Sequence, residues 1–293
     1  MRLCLRCGAE YQGESWHCVR CGYEPARING YPAFAPERAG GAAGYDPAHF
    51  SELARLEAEN FWFRARNLLI AWAIGRYCRG ARNLLEVGCG TGFVLAGIAA
   101  AFPSMSLAGG ESASEGLTFA AIRVPGASFM QLDARRIPFR AEFDVVAAFD
   151  VIEHIEDDRA VLQQLRAAAT PGGGVLITVP QHRGLWSEYD ARAGHIRRYR
   201  ARELRAKVME AGLEIVRMTS FVALLLPFMY FSRLAQRTPR AGYDPLAELR
   251  IAPWLNRILE TALDAERALI QAGMNFPAGG SLLVVARRPA SPR

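Results

Sequence analysis

Short apolar runs alternate with segments of helical periodicity from residue 84 to residue 219. Apolar runs of this length are typical of strands buried in a parallel sheet, and the segments between them have the length of crossover helices. The alternation predicts a doubly wound α/β sheet. The predicted strands are 84–87, a strand ending near Gly109, 128–132, 143–149, 175–179, 213–219 and 282–287.

The best-marked stretch is LLEVGCGTGFVLAGIA, residues 84–99. An apolar run containing Glu86 is followed by Gly88, Gly90 and Gly92 at alternate positions and then by an apolar helical segment. A strand that ends in a tight turn and opens a helix is where α/β sheets bind nucleotides. Dinucleotide enzymes space these glycines as G-x-G-x-x-G to approach a pyrophosphate, so the alternating spacing favours a ligand without phosphate.

Acidic residues follow the next strands at positions where ligands of open α/β sheets lie. Glu111 comes about one βα unit after the glycine loop, where a carboxylate can accept both hydroxyls of a ribose. The alternative is a favourable charge at a helix N-terminus. Asp133 lies in the segment QLDARRIPF, just after the predicted strand 128–132. Asp150 opens the segment DVIEHIEDD, just after the predicted strand 143–149.

Together these four motifs, within residues 83–180, resemble the class I S-adenosylmethionine-dependent methyltransferases, most closely their small-molecule, ubiquinone-type (type 11) branch. The resemblance implies a Rossmann-like seven-stranded sheet with the last strand antiparallel. It also implies that S-adenosylmethionine is the cofactor and that a small organic molecule accepts the methyl group.

The resemblance assigns roles to the motif residues. The loop of Gly88, Cys89, Gly90 and Gly92 would lie against the methionine and ribose parts of the cofactor. Glu86 would interact with the ammonium group of the cofactor, directly or through water. Glu111 would bind the ribose. Asp133 would meet the adenine amino group, the backbone amide of Ala134 a ring nitrogen, and the segment opened by Asp150 would line the methyl-transfer end of the pocket.

Three histidines near the predicted carboxyl edge of the sheet are candidate general bases. They are His154, in the loop after strand four, His182, just past strand five, and His195, in GHIRRY. The ordinary pKa of histidine suits a base near neutrality, whereas loop histidines also serve structural hydrogen bonds. Both interpretations stay open.

Four of the six cysteines form two C-x2-C-G turns, Cys4 with Cys7 and Cys18 with Cys21. Four thiolates match tetrahedral zinc and leave no open coordination position, which predicts a structural zinc ribbon. An iron centre or a redox dithiol is the alternative.

The composition is that of a globular protein with a sizeable core: 293 residues, 51% hydrophobic, net charge +6. No basic segment followed by an apolar stretch stands at the N-terminus, and the longest apolar run, 221–231, is shorter than the roughly 18 residues of a membrane helix. We therefore expect a cytoplasmic protein without a transmembrane segment.

The chain divides into five predicted parts: a zinc ribbon (1–30), a linker rich in Pro, Gly and Ala (31–46), N-terminal helices covering the cofactor site (47–80), the methyltransferase core (81–220 and 281–293) and a helical insertion (221–280). The insertion is expected to cap an apolar acceptor pocket, and Pro227 to kink its first helix. Packing on the sheet or a homodimer interface is the alternative role for its apolar residues.

Two other functions stay open. The ribbon and a group of arginines could grip RNA phosphates, as in a ribosomal RNA methyltransferase, or the fold could serve as a non-catalytic regulator or scaffold. The arginines are Arg192, Arg197, Arg198, Arg200, Arg202 and Arg205. Clustered arginines are more often a solvated helix face, which makes a nucleic-acid partner the weaker alternative.

Overall fold

The structure, a computed structural model, describes residues 1–13, 15–40, 49–235 and 245–290. Residues 41–46 of the predicted linker, 47–48 of the predicted N-terminal helices, 236–244 of the predicted insertion and 291–293 of the predicted core lie outside the described residues.

Eleven strands are found in the described part of the chain. They are β1 (Arg2–Leu3), β2 (Glu10–Tyr11), β3 (Ala26–Ile28), β4 (Tyr31–Ala33), β5 (Asn83–Val87), β6 (Ser106–Glu111), β7 (Ser128–Gln131), β8 (Phe143–Phe149), β9 (Ala169–Pro180), β10 (Glu214–Phe221) and β11 (Ser281–Arg287).

Nine of these strands form one sheet in the order β10-β11-β9-β8-β5-β6-β7-β4-β3, and β1 and β2 form a separate hairpin. Strands β5 to β9 are parallel to their neighbours within that group, whereas β11 is antiparallel to both β9 and β10. The predicted α/β Rossmann-like fold with a final antiparallel strand is confirmed. The order reverses at β5, so β5 lies at the topological switch point, where such sheets bind ligands.

The helices are α1 (His49–Leu56), α2 (Phe61–Tyr77), α3 (Phe93–Ala101), α4 (Ser114–Arg123), α5 (Asp158–Ala168), α6 (Glu188–Arg192), α7 (Ala201–Glu210), α8 (Leu226–Ala235) and α9 (Pro253–Gln271). Neighbouring residues of one strand serve two cores, because side chains alternate across a sheet. Leu84 faces the core under α2, α3 and α4, and Leu85 faces the core under α5 and α7. The sheet is thus covered on both faces.

The seven predicted strands are all present, and two further strands, β3 and β4, lengthen the sheet; β4 takes the first three residues of the predicted linker. Strands β3 and β4 extend the sheet beyond β7, where Ala33 pairs with Gln131. The Gln131 side chain then accepts from the Ala35 amide at 3.0 Å and donates to the Ala35 carbonyl at 2.7 Å. Three-residue strands, one with a proline at Pro32, carry no readable alternation, which explains why the sequence pattern did not predict them.

The described residues of the insertion after β10 include two α-helices, α8 and α9. Pro227 is the second residue of α8, so it occupies the first turn, where a missing amide hydrogen is tolerated. The expected kink is therefore wrong. Helix α9 packs on α2, where Arg64 donates two hydrogen bonds of 2.6 Å to Glu260.

Helix α2 begins at a well-formed cap, since the Asn60 side chain accepts from the Trp62 amide at 2.9 Å. The same side chain donates to the Leu249 carbonyl at 3.0 Å, which ties the start of α2 to the insertion. In the described part of the chain, no helix has both the length and the apolar character needed to cross a membrane.

Candidate functional site

A cavity of about 1080 Å³ lies at the carboxyl ends of β5 to β8. Helix α2 forms one wall, with Trp62 and Arg66, and the insertion forms another, with Val222, Leu225 and Met229. Most of the predicted site residues line it. Those on its lining are Glu86, Gly88, Cys89, Gly90, Glu111, Asp133, Ala134, Asp150, His154 and His195.

The glycine loop shapes the floor of the cavity, and its three glycines all have positive φ. A Cβ at Gly88 would meet Val151 Cγ2 at 2.3 Å, and one at Gly92 would meet Ala120 Cα at 2.7 Å. At Gly90 no heavy atom lies within 4 Å of that position, so this backbone is open to a ligand. Cys89 is buried in the turn, and Gly92 is not among the residues that line the cavity.

Glu86 lies in β5 just before that loop. Only 2% of the residue is exposed, and its Oε2 has no hydrogen-bond partner in the described part of the chain. Burial raises the pKa of Glu86 to about 8, against the opposing effect of the Arg66 charge. A buried carboxyl oxygen without a partner beside a cavity is costly when the group is ionised, and it suits a cationic ligand.

Glu111 joins two loops at the end of β6. Its Oε1 accepts from the amides of Ser112 at 2.7 Å and Ala113 at 3.1 Å, and its Oε2 accepts from the Gly90 amide at 3.0 Å. A carboxylate has about four acceptor positions, so Oε2 keeps capacity for a ligand hydroxyl.

Asp133 is already paired with arginines. Its carboxylate accepts from the Arg135 amide at 2.9 Å and from the Arg135 guanidinium at 2.6 Å, and Arg38 lies 3.0 Å away. Although burial opposes it, hydrogen bonds from Arg135 and the charge of Arg38 hold the pKa of Asp133 below its ordinary value. An adenine amino group would have to share this carboxylate with the two arginines.

Asp150 follows β8 in a left-handed backbone conformation, with φ of 55°. Its Oδ2 is ion-paired with Arg66 and accepts from the Thr178 hydroxyl at 3.2 Å. Arg66 is buried against the Trp62 ring, with its guanidinium carbon 4.6 Å from the ring centroid. Sequence reasoning assigned Arg66 no role, since an arginine in an aromatic helix has no local signal of burial.

Glu153 is a second functional candidate that the sequence analysis did not single out. It lies in a short 3-10 helix, Ile152–His154, and is fully buried. Among the residues that the structure describes, neither carboxyl oxygen has a hydrogen-bond partner. Burial raises the pKa of Glu153 well above its ordinary value, and the nearby Asp150 charge adds to the effect. The signal was present, since Glu153 precedes His154 in DVIEHIEDD.

His154 and His195 meet beside Glu153, with ring centroids 4.7 Å apart. His195 Nδ1 lies 2.8 Å from Asp190 Oδ1, and its Nε2 lies 4.0 Å from Glu153 Oε1. Burial lowers the pKa of His154 to about 4, and the neighbouring His195 adds to this effect.

Asp190 is the residue that holds His195 in place. It is fully buried and also accepts from Arg198 Nε at 2.8 Å and from the Ser187 hydroxyl at 3.0 Å. Although burial opposes it, the His195 hydrogen bond and the Arg198 charge lower the pKa of Asp190 to about 2. Asp190 was not predicted, because its contact with His195 depends on the turn after α6.

His182 is not brought to the cavity. It follows β9, has a φ of 62°, and is not among the residues that line the cavity. Burial and the charge of Arg198 lower the pKa of His182. Its predicted role as a general base gains no support from this position.

The four N-terminal cysteines come together as the spacing suggested. Cys4 Sγ lies 3.6 Å from Cys21 Sγ, and Cys7 Sγ lies 3.7 Å from Cys18 Sγ. The two turns have the same hydrogen bond, from the Gly8 amide to the Cys4 carbonyl and from the Gly22 amide to the Cys18 carbonyl, each 2.8 Å.

The predicted arginine group is not a continuous free cationic surface. Arg198 is buried against Asp190, Arg197 pairs with Asp158 at 2.6 Å, and Arg192 pairs with Glu188 at 3.4 Å. This arrangement weakens the case for an RNA-binding face.

A family model described as a methyltransferase domain matches residues 53–218, more than half of the chain. The chain therefore belongs to this methyltransferase family, as the motifs within residues 83–180 predicted. The matched residues begin after the four-cysteine segment.

Two curated bacterial relatives support the assignment. The chain is 28% identical over 166 residues to a Mycolicibacterium smegmatis protein named "Probable S-adenosylmethionine-dependent methyltransferase", covering 55% of this chain and 62% of the relative. It is 30% identical over 151 residues to the ubiquinone biosynthesis O-methyltransferase of Paracidovorax citrulli, covering 46% and 63%. The chain thus spans less than two thirds of the length of these relatives.

Among solved structures, phosphoethanolamine N-methyltransferase 2 of Haemonchus contortus, in complex with S-adenosyl-L-methionine, has a similar fold. The TM-score is 0.51 at 22% identity, and the match covers 76% of this chain and 52% of that one. At this identity the similarity concerns the fold alone.

Proposed function

We propose that this protein transfers the methyl group of S-adenosylmethionine to a small, largely apolar organic acceptor. One observation carries the proposal: the unpaired, buried Oε2 of Glu86 at the switch point of the sheet, next to the open backbone of Gly90. The family of the chain and the S-adenosylmethionine-dependent relative support it.

The residues around the cavity fit this cofactor. Glu86 would accept hydrogen bonds from the ammonium group of the cofactor, and Glu111 would accept them from the ribose hydroxyls. The backbone of Gly90 would lie against the part of the cofactor between these two groups. Asp133 and the Ala134 amide would face the adenine. When bound, the cofactor supplies a methyl group on a sulfonium, which leaves as a neutral thioether.

The other end of the cavity suits the acceptor. Val222, Leu225 and Met229 give this end an apolar wall from the insertion, and residues 221–280 would cap the acceptor, while 47–80 would cover the cofactor. One relative is named an O-methyltransferase, which supports a hydroxyl as the accepting group. Displacement at carbon requires the nucleophile in line, roughly 3 Å away, so this wall has an orienting role.

Of the three predicted bases, His195 has the best-defined position. Asp190 fixes its Nδ1, and Nε2 lies toward Glu153 at the acceptor end. In this arrangement His195 can take the proton of a hydroxyl acceptor, while His154 packs against it.

We also propose that Cys4, Cys7, Cys18 and Cys21 hold one structural zinc ion. A tetrahedral site with Zn–S bonds of about 2.3 Å has sulfurs about 3.8 Å apart, close to the two separations in this cluster. Four protein thiolates leave no position for a substrate, so this ion would stabilise the N-terminal segment.

The test of the main proposal is calorimetric titration with S-adenosylmethionine and S-adenosylhomocysteine. We expect binding of both by the wild type and, for Glu86→Gln, an affinity for S-adenosylmethionine lower by about 10- to 100-fold, the usual range for a lost charge-assisted hydrogen bond. Glu214→Gln, at an exposed position in β10, is the matched control and should bind as the wild type does. A wild type that binds neither ligand would refute the proposal.

A further inference from the structure

Glu153, His154 and His195 form a cluster on the lining of the cavity. Each offers one ligand atom, and these atoms all lie within 4.8 Å of one another. All three residues line the cavity. Two imidazoles and one carboxylate are a common set of protein ligands for a divalent cation whose other positions stay open to substrate.

The carboxylate of Glu153 lacks the partners that a buried acid normally has. The residue has no solvent exposure, and both Oε1 and Oε2 are without a hydrogen bond among the described residues. The nearest cations act elsewhere, since Arg66 pairs with Asp150 and Arg198 with Asp190. A buried carboxyl group with no partner among the described residues is costly when ionised, and a bound cation would stabilise its ionised form.

His195 is held in place by a buried carboxylate, and His154 packs against His195. His195 Nδ1 is bonded to the buried carboxylate of Asp190, which leaves Nε2 on the side of Glu153. The His154 ring packs edge-on against the His195 ring, with the ring centroids 4.7 Å apart. Metal-binding histidines characteristically have their second nitrogen fixed by a carboxylate or a carbonyl, which orients the ring and selects the tautomer.

We propose that Glu153, His154 and His195 bind a divalent transition-metal ion, such as zinc, that coordinates a hydroxyl group of the methyl acceptor. The metal site rests on this cluster alone, whereas the role for the acceptor rests on the proposed methyl transfer. In the metal-bound state His195 is a ligand and does not act as the base.

The ion makes the hydroxyl a better nucleophile because coordination lowers the pKa of a bound O–H group. The hydroxyl proton passes to solvent. The oxygen then forms a bond to the methyl carbon, and the carbon–sulfur bond breaks with its electron pair staying on sulfur. The acceptor class is therefore a molecule with a hydroxyl group next to an apolar body, which fits the wall of Val222 and Leu225.

The experiment is equilibrium dialysis of the full chain against chelator-buffered zinc, with metal content counted per chain. We expect the wild type to bind one more zinc ion per chain than Glu153→Gln and His195→Ala, in which affinity at this site should fall at least about tenfold. The result is the difference in zinc content between the wild type and each variant. Zinc held by the four cysteines is the same in all of these proteins and does not affect that difference. His182→Ala is the matched control, since it removes an imidazole outside the cavity and should bind zinc as the wild type does.

Equal zinc content in the wild type, Glu153→Gln and His195→Ala at every free-zinc concentration would overturn the proposal. Circular dichroism of each variant checks folding, and the nearly isosteric Glu153→Gln covers the case in which His195→Ala does not fold. Titration of the same samples with S-adenosylmethionine separates the two proposals. If the variants lose the zinc ion and all proteins bind the cofactor, both proposals are supported. If the variants lose the zinc ion but the wild type does not bind the cofactor, only the metal site is supported.

Discussion

The two ends of the cavity each hold a buried glutamate with an unpaired oxygen, but the neighbours of the two residues differ. Glu86 is 2% exposed and lies beside the glycine loop and Arg66, whereas Glu153 is fully buried beside two imidazoles. Burial raises the pKa of both carboxyl groups. The first environment suits an organic cation and the second a metal ion.

This difference shows that the ligand of a buried carboxylate is decided by the groups around it. Near Glu86 a ligand can approach the open backbone of Gly90, where no heavy atom lies within 4 Å of the Cβ position. Near Glu153 the histidine nitrogens lie close enough to share one ion. Burial without a partner disfavours the ionised form in either place, and a bound cation would restore it.

The largest effect should come from Gly88→Ala, which affects both ends. Its Cβ would be 2.3 Å from Val151 Cγ2, and Val151 stands between Asp150 and the helix of Glu153. We expect a loss of about 2–4 kcal/mol in the free energy of unfolding, from overpacking plus positive φ, together with weaker binding of both ligands. Urea denaturation measures it.

Gly90→Ala is the matched control for that prediction. This residue has the same left-handed backbone but no heavy atom within 4 Å of its Cβ position. The loss in unfolding free energy should be about 1 kcal/mol, from the backbone alone. Equal losses in the two variants would show that Val151 yields and that the ends are not coupled through this contact.

A double variant tests whether the ends are independent in binding. Glu153→Gln should leave the affinity for S-adenosylmethionine unchanged within about twofold, as expected for separate sites. Glu86→Gln/Glu153→Gln should then bind it as Glu86→Gln does. Calorimetry on all four proteins gives the coupling energy. A double variant much weaker than Glu86→Gln would mean that one ligand reaches both carboxylates.

The pH dependence separates the two glutamates further. Because the pKa of Glu86 is about 8 in the free protein, its carboxyl is mostly protonated at pH 7. A bound cation favours the ionised form, so binding should release a proton, and affinity should rise with pH by up to about tenfold per unit until pH is near 8. Calorimetry in two buffers of different ionisation enthalpy measures the proton. Glu86→Gln should remove the release, and a release that persists would assign it to another group.

The residues of the proposed cofactor end could be singled out from the sequence because each stands in or just after a recognisable strand. Glu86, Gly88 and Gly90 lie within one strand and one turn, and Glu111 and Asp133 follow at strand ends. The strand and helix alternation likewise predicted the core of the sheet, including β8 at Phe143–Phe149.

The acceptor end depends on contacts between distant segments, which a single sequence does not contain. His195 reaches Glu153 only because the chain after β9 turns back over the 3-10 helix, where the Ile196 amide donates to the Glu153 carbonyl at 2.9 Å. Asp190 and Arg66 are buried charges, and burial of a charge has no local pattern. The strands β3 and β4 were missed for a related reason, since their place in the sheet depends on Gln131.

The smallest effect should come from the four-cysteine cluster, which serves as a reference outside both ends. Cys7→Ser should lower the zinc content by one ion per chain and change the affinity for S-adenosylmethionine by less than about twofold, as for distant sites. The N-terminal segment that carries the cluster contacts the core through other residues. The Leu3 amide donates to the Pro138 carbonyl at 3.0 Å, and the Trp16 ring packs against Phe139. Thermal stability should therefore fall while cofactor binding stays.

Cys78→Ser is the matched control for this variant, because Cys78 is a single half-buried cysteine outside the cluster. Its zinc content should equal that of the wild type. The cluster does have one route to the cavity, since Arg136 donates to the Leu5 carbonyl at 3.2 Å and lies next to Arg135, the partner of Asp133. If Cys7→Ser weakened cofactor binding strongly, this route would make the N-terminal segment part of the cofactor end, and the contrast between the two glutamates would no longer be the main division of the site.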